Sequence, residues 1–255
     1  MWELNRFNVS LVISILMLVL LFSIKAPTVF IVCFLVLVLS FWFLMSLCIR
    51  CNFFIKSINH TVVPNVVLSF DDGPHPEITP RILDILKLHE VQALFFVIGK
   101  NIQGNEEIIE RIVSEGHLIG SHSYNHPNLM GVLSVVKVRE EIKRGHDELS
   151  RILKKPSLLF RPPVGVTNPN IARAIVQLNI QSVGWSLRSL DTVFTSKERI
   201  LKRLLRKVKG GDIVLLHDTK EITLEMLEEF IVAIKQKKLV LKAKAVARPY
   251  ETDDN

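Results

Sequence analysis

Residues 65–100 read NVVLSFDDGPHPEITPRILDILKLHEVQALFFVIGK. The apolar run 65–70 stops at Asp71-Asp72-Gly73-Pro74, a turn-forming tetrapeptide. Thr79-Pro80 then offers an N-cap and a first-turn proline for a helix to about Leu88. A second apolar run at 92–98 completes a strand–helix–strand unit.

The same alternation continues to the end of the chain. Further strands are expected at 117–120, 157–160, 180–185, 212–216 and 239–242. Helices are expected after Asn105 up to Gly116, at 133–153, from Asn168-Pro169 to about Leu178, and at 196–207 and 221–237. This pattern predicts an α/β fold with a largely parallel sheet of about seven strands, either a closed or nearly closed barrel or an open doubly wound sheet. No Gly-rich phosphate loop follows the first strand, which argues against nucleotide binding.

Parallel α/β folds place their chemistry at the carboxyl ends of the strands. Five such ends carry polar groups here: Asp71-Asp72, Ser121-His122, Arg161-Pro162-Pro163, Ser186 to Asp191, and His217-Asp218. Adjacent aspartates at a strand end point apart, so one can bind a metal while the other stays free as a base. His122 and His126 are four residues apart and converge on one ion if the segment takes a helical turn. With Asp72 they make a two-histidine, one-carboxylate set that leaves positions open for water and substrate. Arg161 is placed to orient Asp71 by paired hydrogen bonds. His217 follows a wholly apolar strand and is the candidate acid, with Asp191 to fix its tautomer and raise its pKa. Each piece alone also reads blandly, as a surface turn, loop histidines, a structural ion pair or a satisfied core histidine.

The amino-terminal fifth is different. Only Lys25 is charged between Val9 and Ile49, and this region is the main source of the mean hydropathy of +0.32. Apolar runs at about 8–24 and 28–49 flank the turn Lys25-Ala26-Pro27 and predict a transmembrane helical hairpin, hence a multi-pass membrane protein in contact with lipid. A signal-peptide core is the alternative for the first run. Counting Arg6 before the hairpin and Arg50 and Lys56 after it favours both ends in the cytoplasm, by one or two charges. The expected organisation is 1–56 for the hairpin and its flanks, 57–63 as linker, 64–248 as the catalytic domain and 249–255 as an acidic tail. Cys33, Cys48 and Cys51 all lie in or beside the hairpin, so the soluble part holds no thiol nucleophile. The net charge of +7 concentrates in 197–209 and 235–248, which reads as a solvated helix face or as a surface for anionic lipid or an anionic sugar carrier. No motif supports nucleic-acid binding.

Taken together, Ser69-Phe70-Asp71-Asp72-Gly73-Pro74, His122-Ser-Tyr-Asn-His126, Arg161-Pro-Pro-Val-Gly165, Trp185 to Asp191 and Leu215-Leu-His217-Asp218 resemble the motifs of the polysaccharide deacetylase family, carbohydrate esterase family 4 with its NodB-homology domain. The resemblance runs from about Pro64 to Arg248. It implies a distorted (β/α) barrel and metal-dependent removal of acetyl groups, N-acetyl first, from a glycan. It also implies one divalent metal, zinc foremost with cobalt, nickel or manganese as alternatives, on Asp72, His122 and His126. Asp71 looks like the family's base, His217 its acid, Arg161 the residue that holds the base and Asp191 the one that tunes the acid. The Val164 N–H, Leu215, Trp185 and Arg188 would meet the substrate. Three positions depart from the family pattern: Val164 stands where an aromatic residue is frequent, Arg188 where an aspartate is usual, and Thr192 where a tryptophan is usual. Competing readings are an inactive relative that binds a glycan or lipid-linked sugar, a two-histidine iron oxygenase, and a hydrolase of a non-sugar amide.

Overall fold

A computed structural model describes residues 6–246. Two helices, α1 (Arg6–Ser23) and α2 (Thr28–Ser46), come first, and their surfaces are almost wholly exposed. At about 1.5 Å per residue the longer of them is about 28 Å long, close to the thickness of a hydrocarbon core. Between them the Trp42 indole N–H donates to Ser10 Oγ at 2.9 Å.

The rest of the chain is a parallel sheet wrapped by helices. Its strands are β1 (Asn65–Asp71), β2 (Leu94–Val97), β3 (Leu118–Ser121), β4 (Leu159–Phe160), β5 (Gln181–Ser182), β6 (Leu187–Arg188), β7 (Ile213–His217) and β8 (Val240–Leu241). The order β5-β4-β3-β2-β1-β7-β6, with β8 also on β1 and every pair parallel, makes a half-barrel. The helices are α3 (Ile78–Leu88), α4 (Glu106–Ser114), α5 (Val135–Leu153), α6 (Pro169–Leu178), α7 (Lys197–Lys207) and α8 (Glu221–Gln236).

The run expected as one strand at 180–185 has a different form. Its start pairs with β4, whereas its continuation, β6, pairs with β7 on the opposite flank. Residues 183–186 cross between the two. The stretch expected as linker, 57–63, packs into this gap: Ile58 bridges Val183, His60 bridges Asp212, and the Ser57 and Ser182 hydroxyls lie 2.7 Å apart. The tail at 249–255, the last residues of the expected domain and part of the second basic stretch lie outside the described residues.

Alternation along β1 sorts its side chains. Val66, Leu68 and Phe70 face the helices and join the core beneath α3, α4, α7 and α8. Val67 faces inward with Leu94, Phe96, Ile213 and Leu215. Ser69 and Asp71 share that inward face by register, so β1 delivers a carboxylate to the mouth of the half-barrel. A third apolar cluster ties the hairpin to the domain, with Phe7, Trp42 and Met45 against a group that includes Phe53, Phe54, Met130 and Ile171.

Candidate active site

Asp71 is the last residue of β1, and it lies in register with His217, the last residue of β7. The next residue, Asp72, has φ of 77°, a left-handed conformation. That turn sends the two carboxylates to different depths, although both reach His122, whose Nε2 lies 3.7 Å from Asp71 Oδ2 and 3.6 Å from Asp72 Oδ1. Asp71 goes down into the protein and is 3% exposed. Asp72 goes out to the histidines, with Oδ1 at 3.4 Å from His126 Nε2 and 3.6 Å from His122 Nε2.

The histidine segment forms without the helical turn its spacing suggested. Residues 122–126 are irregular, and Ser123 and His126 both take positive φ, 68° and 55°. These bends, rather than a helical face, bring the rings to 4.8 Å between centroids. The loop is pinned from α5: the Glu141 carboxylate accepts from the Asn125 backbone N–H at 2.9 Å and from its side-chain amide at 2.6 Å. One donor atom from each of Asp72, His122 and His126 lies within 4.8 Å of the others.

The donor chemistry fits a divalent metal. His122 Nδ1 lies 2.7 Å from the Arg161 carbonyl oxygen, which can only accept. The proton is therefore on Nδ1, and the Nε2 lone pair faces Asp72 and His126. Burial lowers the His122 pKa, with His126 adding to the effect, so the ring stays neutral as a ligand requires.

Arg161 is fully buried at the end of β4. Its Nη1 donates to Asp71 Oδ1 at 2.6 Å and to Ser69 Oγ at 3.0 Å. Nε and Nη2 donate to the carbonyls of Val183 and Gly184 at 3.1 and 2.7 Å. The guanidinium lies over the Phe96 ring, 4.1 Å from its centroid. So Arg161 meets Asp71 through one hydrogen bond rather than the paired bonds expected, and its other donors clamp the crossing segment at 183–184. Burial drives the Asp71 carboxyl above its ordinary range, against the pull of Arg161 and His217.

On the other flank, His217 Nδ1 lies 2.8 Å from Asp191 Oδ1. Asp191 Oδ2 accepts from the His217 backbone N–H at 2.8 Å and from Thr223 Oγ1 at 2.7 Å. Burial alone would lower the His217 pKa. The hydrogen bond and charge of Asp191 outweigh it, and Asp71 and Asp72 add to the rise. For Asp191 burial acts upward, and the bonds from His217, Thr223 and Ser189 carry the carboxyl below its ordinary value.

Leu215 and Trp185 line the inner face. A Cβ on Gly165 would come within 2.3 Å of the Trp185 ring, and φ there is 71°, so this position takes glycine alone. Val164 stands out on the rim, half exposed, with φ of 57°. Arg188 is exposed at the end of β6.

Thr223 escaped the sequence reading, and Ser69 and Asp218 stood in its motifs without a role. Thr223, one turn into α8, holds Asp191. Ser69 shares Nη1 of Arg161. Asp218 is buried beneath the Gly73 turn, where a Cβ at Gly73 would lie 2.1 Å from its carboxylate, and it accepts from Thr79 Oγ1 at 2.7 Å. Its place directly after His217 was the available signal.

A profile of the polysaccharide deacetylase family matches residues 59–183. A peptidoglycan-N-acetylglucosamine deacetylase of Bacillus cereus is 38% identical over 154 residues, covering 60% of this chain and 56% of that protein. A peptidoglycan-N-acetylmuramic acid deacetylase of Bacillus subtilis is 30% identical over 190 residues, covering 73% of this chain and 72% of that protein. Among solved structures, a carbohydrate esterase family 4 pseudoenzyme of Bacillus anthracis superposes with a TM-score of 0.68 at 27% identity, covering 73% of this chain and 66% of that one. With the motifs converged at one mouth, a relative 30% identical over most of both chains and a solved family structure that superposes on the half-barrel, the chain belongs to the polysaccharide deacetylase family.

Proposed function

We propose that this protein is a membrane-anchored, metal-dependent hydrolase that removes N-acetyl groups from a glycan. The carrying observation is the placement of a ligand-forming triad, Asp72, His122 and His126, beside two further groups in register, Asp71 and His217. A divalent ion held by the triad, zinc first by its nitrogen and oxygen donors, supplies a Lewis acid for the acetyl carbonyl.

The chain's own residues do the rest. Asp71 takes a proton from the attacking water, and burial has strengthened it as a base. Arg161 positions it. The new bond joins water oxygen to the acetyl carbon, and the carbon–nitrogen bond breaks. His217 gives its proton to the departing amine nitrogen, leaving acetate and a free amino sugar. With Nδ1 tied to Asp191, its Nε2 is the donating atom. In this reading the Val164 N–H meets the oxyanion, Leu215 and Trp185 line the acetyl pocket, and Arg188 meets an anionic group on the glycan.

The pseudoenzyme neighbour makes an inactive role a serious competitor. Against it stands the full set here: three ligand residues, a candidate base and a candidate acid. The domain organisation follows, with the hairpin at 1–56 as two spans and the catalytic domain after it. The Cys48–Cys51 disulfide at the foot of the hairpin supports the oxidising, outer side of the membrane for the domain. That argument weighs more than a margin of one or two charges.

The test is acetate release by the full chain in detergent, on acetylated peptidoglycan fragments and chitooligosaccharides, with and without chelator. Release that stops with chelator and returns with zinc is expected. Release indifferent to chelator, or none on any acetylated glycan, overturns the reading.

A further inference from the structure

The hairpin meets the domain at the rim of the candidate site. The Thr167 backbone N–H, three residues past Val164, donates to the Ser46 carbonyl at the end of α2 at 2.8 Å. Met130, four residues past His126, is buried in the apolar cluster against which Trp42 and Met45 of α2 pack. The two rim loops are also tied together, since the Asn168 and Asn170 side-chain amides donate to the carbonyls of Gly131 and Leu133.

On this joined rim large apolar side chains point to solvent: Leu129 is 69% exposed, Val132 76% and Val164 54%. Single exposed apolar residues are ordinary. These three flank the metal-ligand loop and the Arg161 loop, which meet the end of α2 through the Thr167–Ser46 bond and the Met130 cluster, and Phe43, Leu44 and Leu47 at that end are exposed too. An apolar rim beside the exit of a membrane span fits the interfacial layer of a bilayer.

We propose that Leu129, Val132 and Val164 seat the mouth of the site on the bilayer from which the hairpin emerges, so that the site takes an acetylated saccharide held at that surface, a lipid-linked glycan. This rests on α1 and α2 being membrane spans and on the deacetylase reading of the site. The charge at the mouth agrees: Arg188 is an exposed cation there, suited to the phosphate that joins a saccharide to its lipid.

The test uses the full chain in vesicles of phosphatidylethanolamine and phosphatidylglycerol with brominated acyl chains. Quenching of Trp42, on α2, reports insertion of the hairpin, whereas Trp185, buried in the domain, supplies an unquenched background. Leu129→Trp and Val132→Trp are expected to add emission that is at least halved by brominated lipid. Leu88→Trp, exposed at the far end of α3, should add emission that is not quenched. Added emission at 129 and 132 that escapes quenching, while the Trp42 part of the native emission is quenched, overturns the docking surface and leaves the spans standing. Native emission with no quenched part overturns both.

A second arm reads the substrate. The double variant Leu129→Glu, Val132→Glu should lose about tenfold in acetate release from a lipid-linked acetylated saccharide in vesicles and none from a water-soluble chitooligosaccharide. Equal losses on both substrates, or no loss on either, overturn the proposal. If the unmodified chain releases acetate from neither substrate, the deacetylase reading fails and takes the substrate claim with it, while quenching still decides the surface.

Discussion

Arg161 Nη1 lies 2.6 Å from Asp71 Oδ1, and neither side chain is open to water. Two charges buried together cost several kcal/mol each in desolvation, which their attraction offsets only when the remaining donors are also satisfied. Arg161 meets that condition through Ser69 Oγ and the carbonyls of residues 183 and 184. The pair therefore joins Asp71, the proposed base, to the crossing strand segment, so one residue would couple stability to the proposed chemistry.

Replacing the guanidinium should separate the two effects. Arg161→Lys keeps a charge but cannot span the same acceptors, and about 3–5 kcal/mol is typical when a buried pair is broken. Arg161 holds the Asp71 carboxyl down, so weakening it lets burial raise that carboxyl further. The base then ionises only at higher pH, and the acid limb of the kcat/KM profile should move upward. Denaturant midpoints and pH–rate profiles measure the two effects separately.

Asp71 and Asp72 are neighbours in sequence with different proposed roles, and their variants should differ in kind. Asp71→Asn should lower kcat about 10²–10⁴-fold while zinc content stays near one per chain. Asp72→Asn and His126→Ala should lose the ion as well as the activity. Elemental analysis beside acetate release distinguishes these outcomes. Equal zinc loss in all three would place Asp71 among the ligands.

The pairing of Asp191 with His217 predicts the other limb. Asp191 holds the imidazole above its ordinary pKa despite burial. Asp191→Asn removes that charge, so His217 loses its proton at lower pH and the alkaline limb of kcat/KM should move down. Thr223→Val removes one donor from the Asp191 carboxylate and keeps its charge, so the limb should stay in place or move slightly upward. An unshifted limb in Asp191→Asn would take His217 out of the acid role.

The strand ends were legible because alternation with helices fixes where a parallel sheet puts its polar groups. That reasoning reached Asp71, His122, Arg161, Asp191 and His217 from sequence. It missed what depends on distant packing. Nothing local marks Thr223 as a partner of Asp191, 32 residues away. The crossing at 183–186 was hidden because an extended run reads the same whether it keeps one neighbour or changes it. The histidine loop shows the limit of spacing: four residues apart suggested a helical turn, and two left-handed residues achieved the convergence instead.

His146 tests a part of the fold that the chemistry does not use. It lies on α5, 7% exposed, with its ring edge-on to Phe160 at 6.1 Å and neither ring nitrogen hydrogen-bonded. Burial pushes its pKa down to about 4, with Asp147 pulling weakly the other way. A depressed histidine contributes stability that is full above its unfolded pKa, near 6.5, and is lost as pH falls toward 4, because the unfolded chain takes the proton first. At about 1.4 kcal/mol per pH unit, the loss over that window is about 3 kcal/mol. His117, also pushed to about 4 by burial, acts in the same direction, whereas Asp218, raised to about 7 by burial, acts oppositely. The shifted groups of the site, Asp71, His122, Asp191 and His217, contribute as well, so only a difference between variants isolates one group. His146→Phe keeps the ring and removes both unpaired nitrogens, which should add about 1–3 kcal/mol at pH 7.5. At pH 4.5 the advantage should be larger by about 2–3 kcal/mol, since the variant has no proton to take up. Urea midpoints of the two chains across pH 4.5–7.5 measure it, and a difference that does not widen toward acid would mean that the buried ring already shares its proton with a partner.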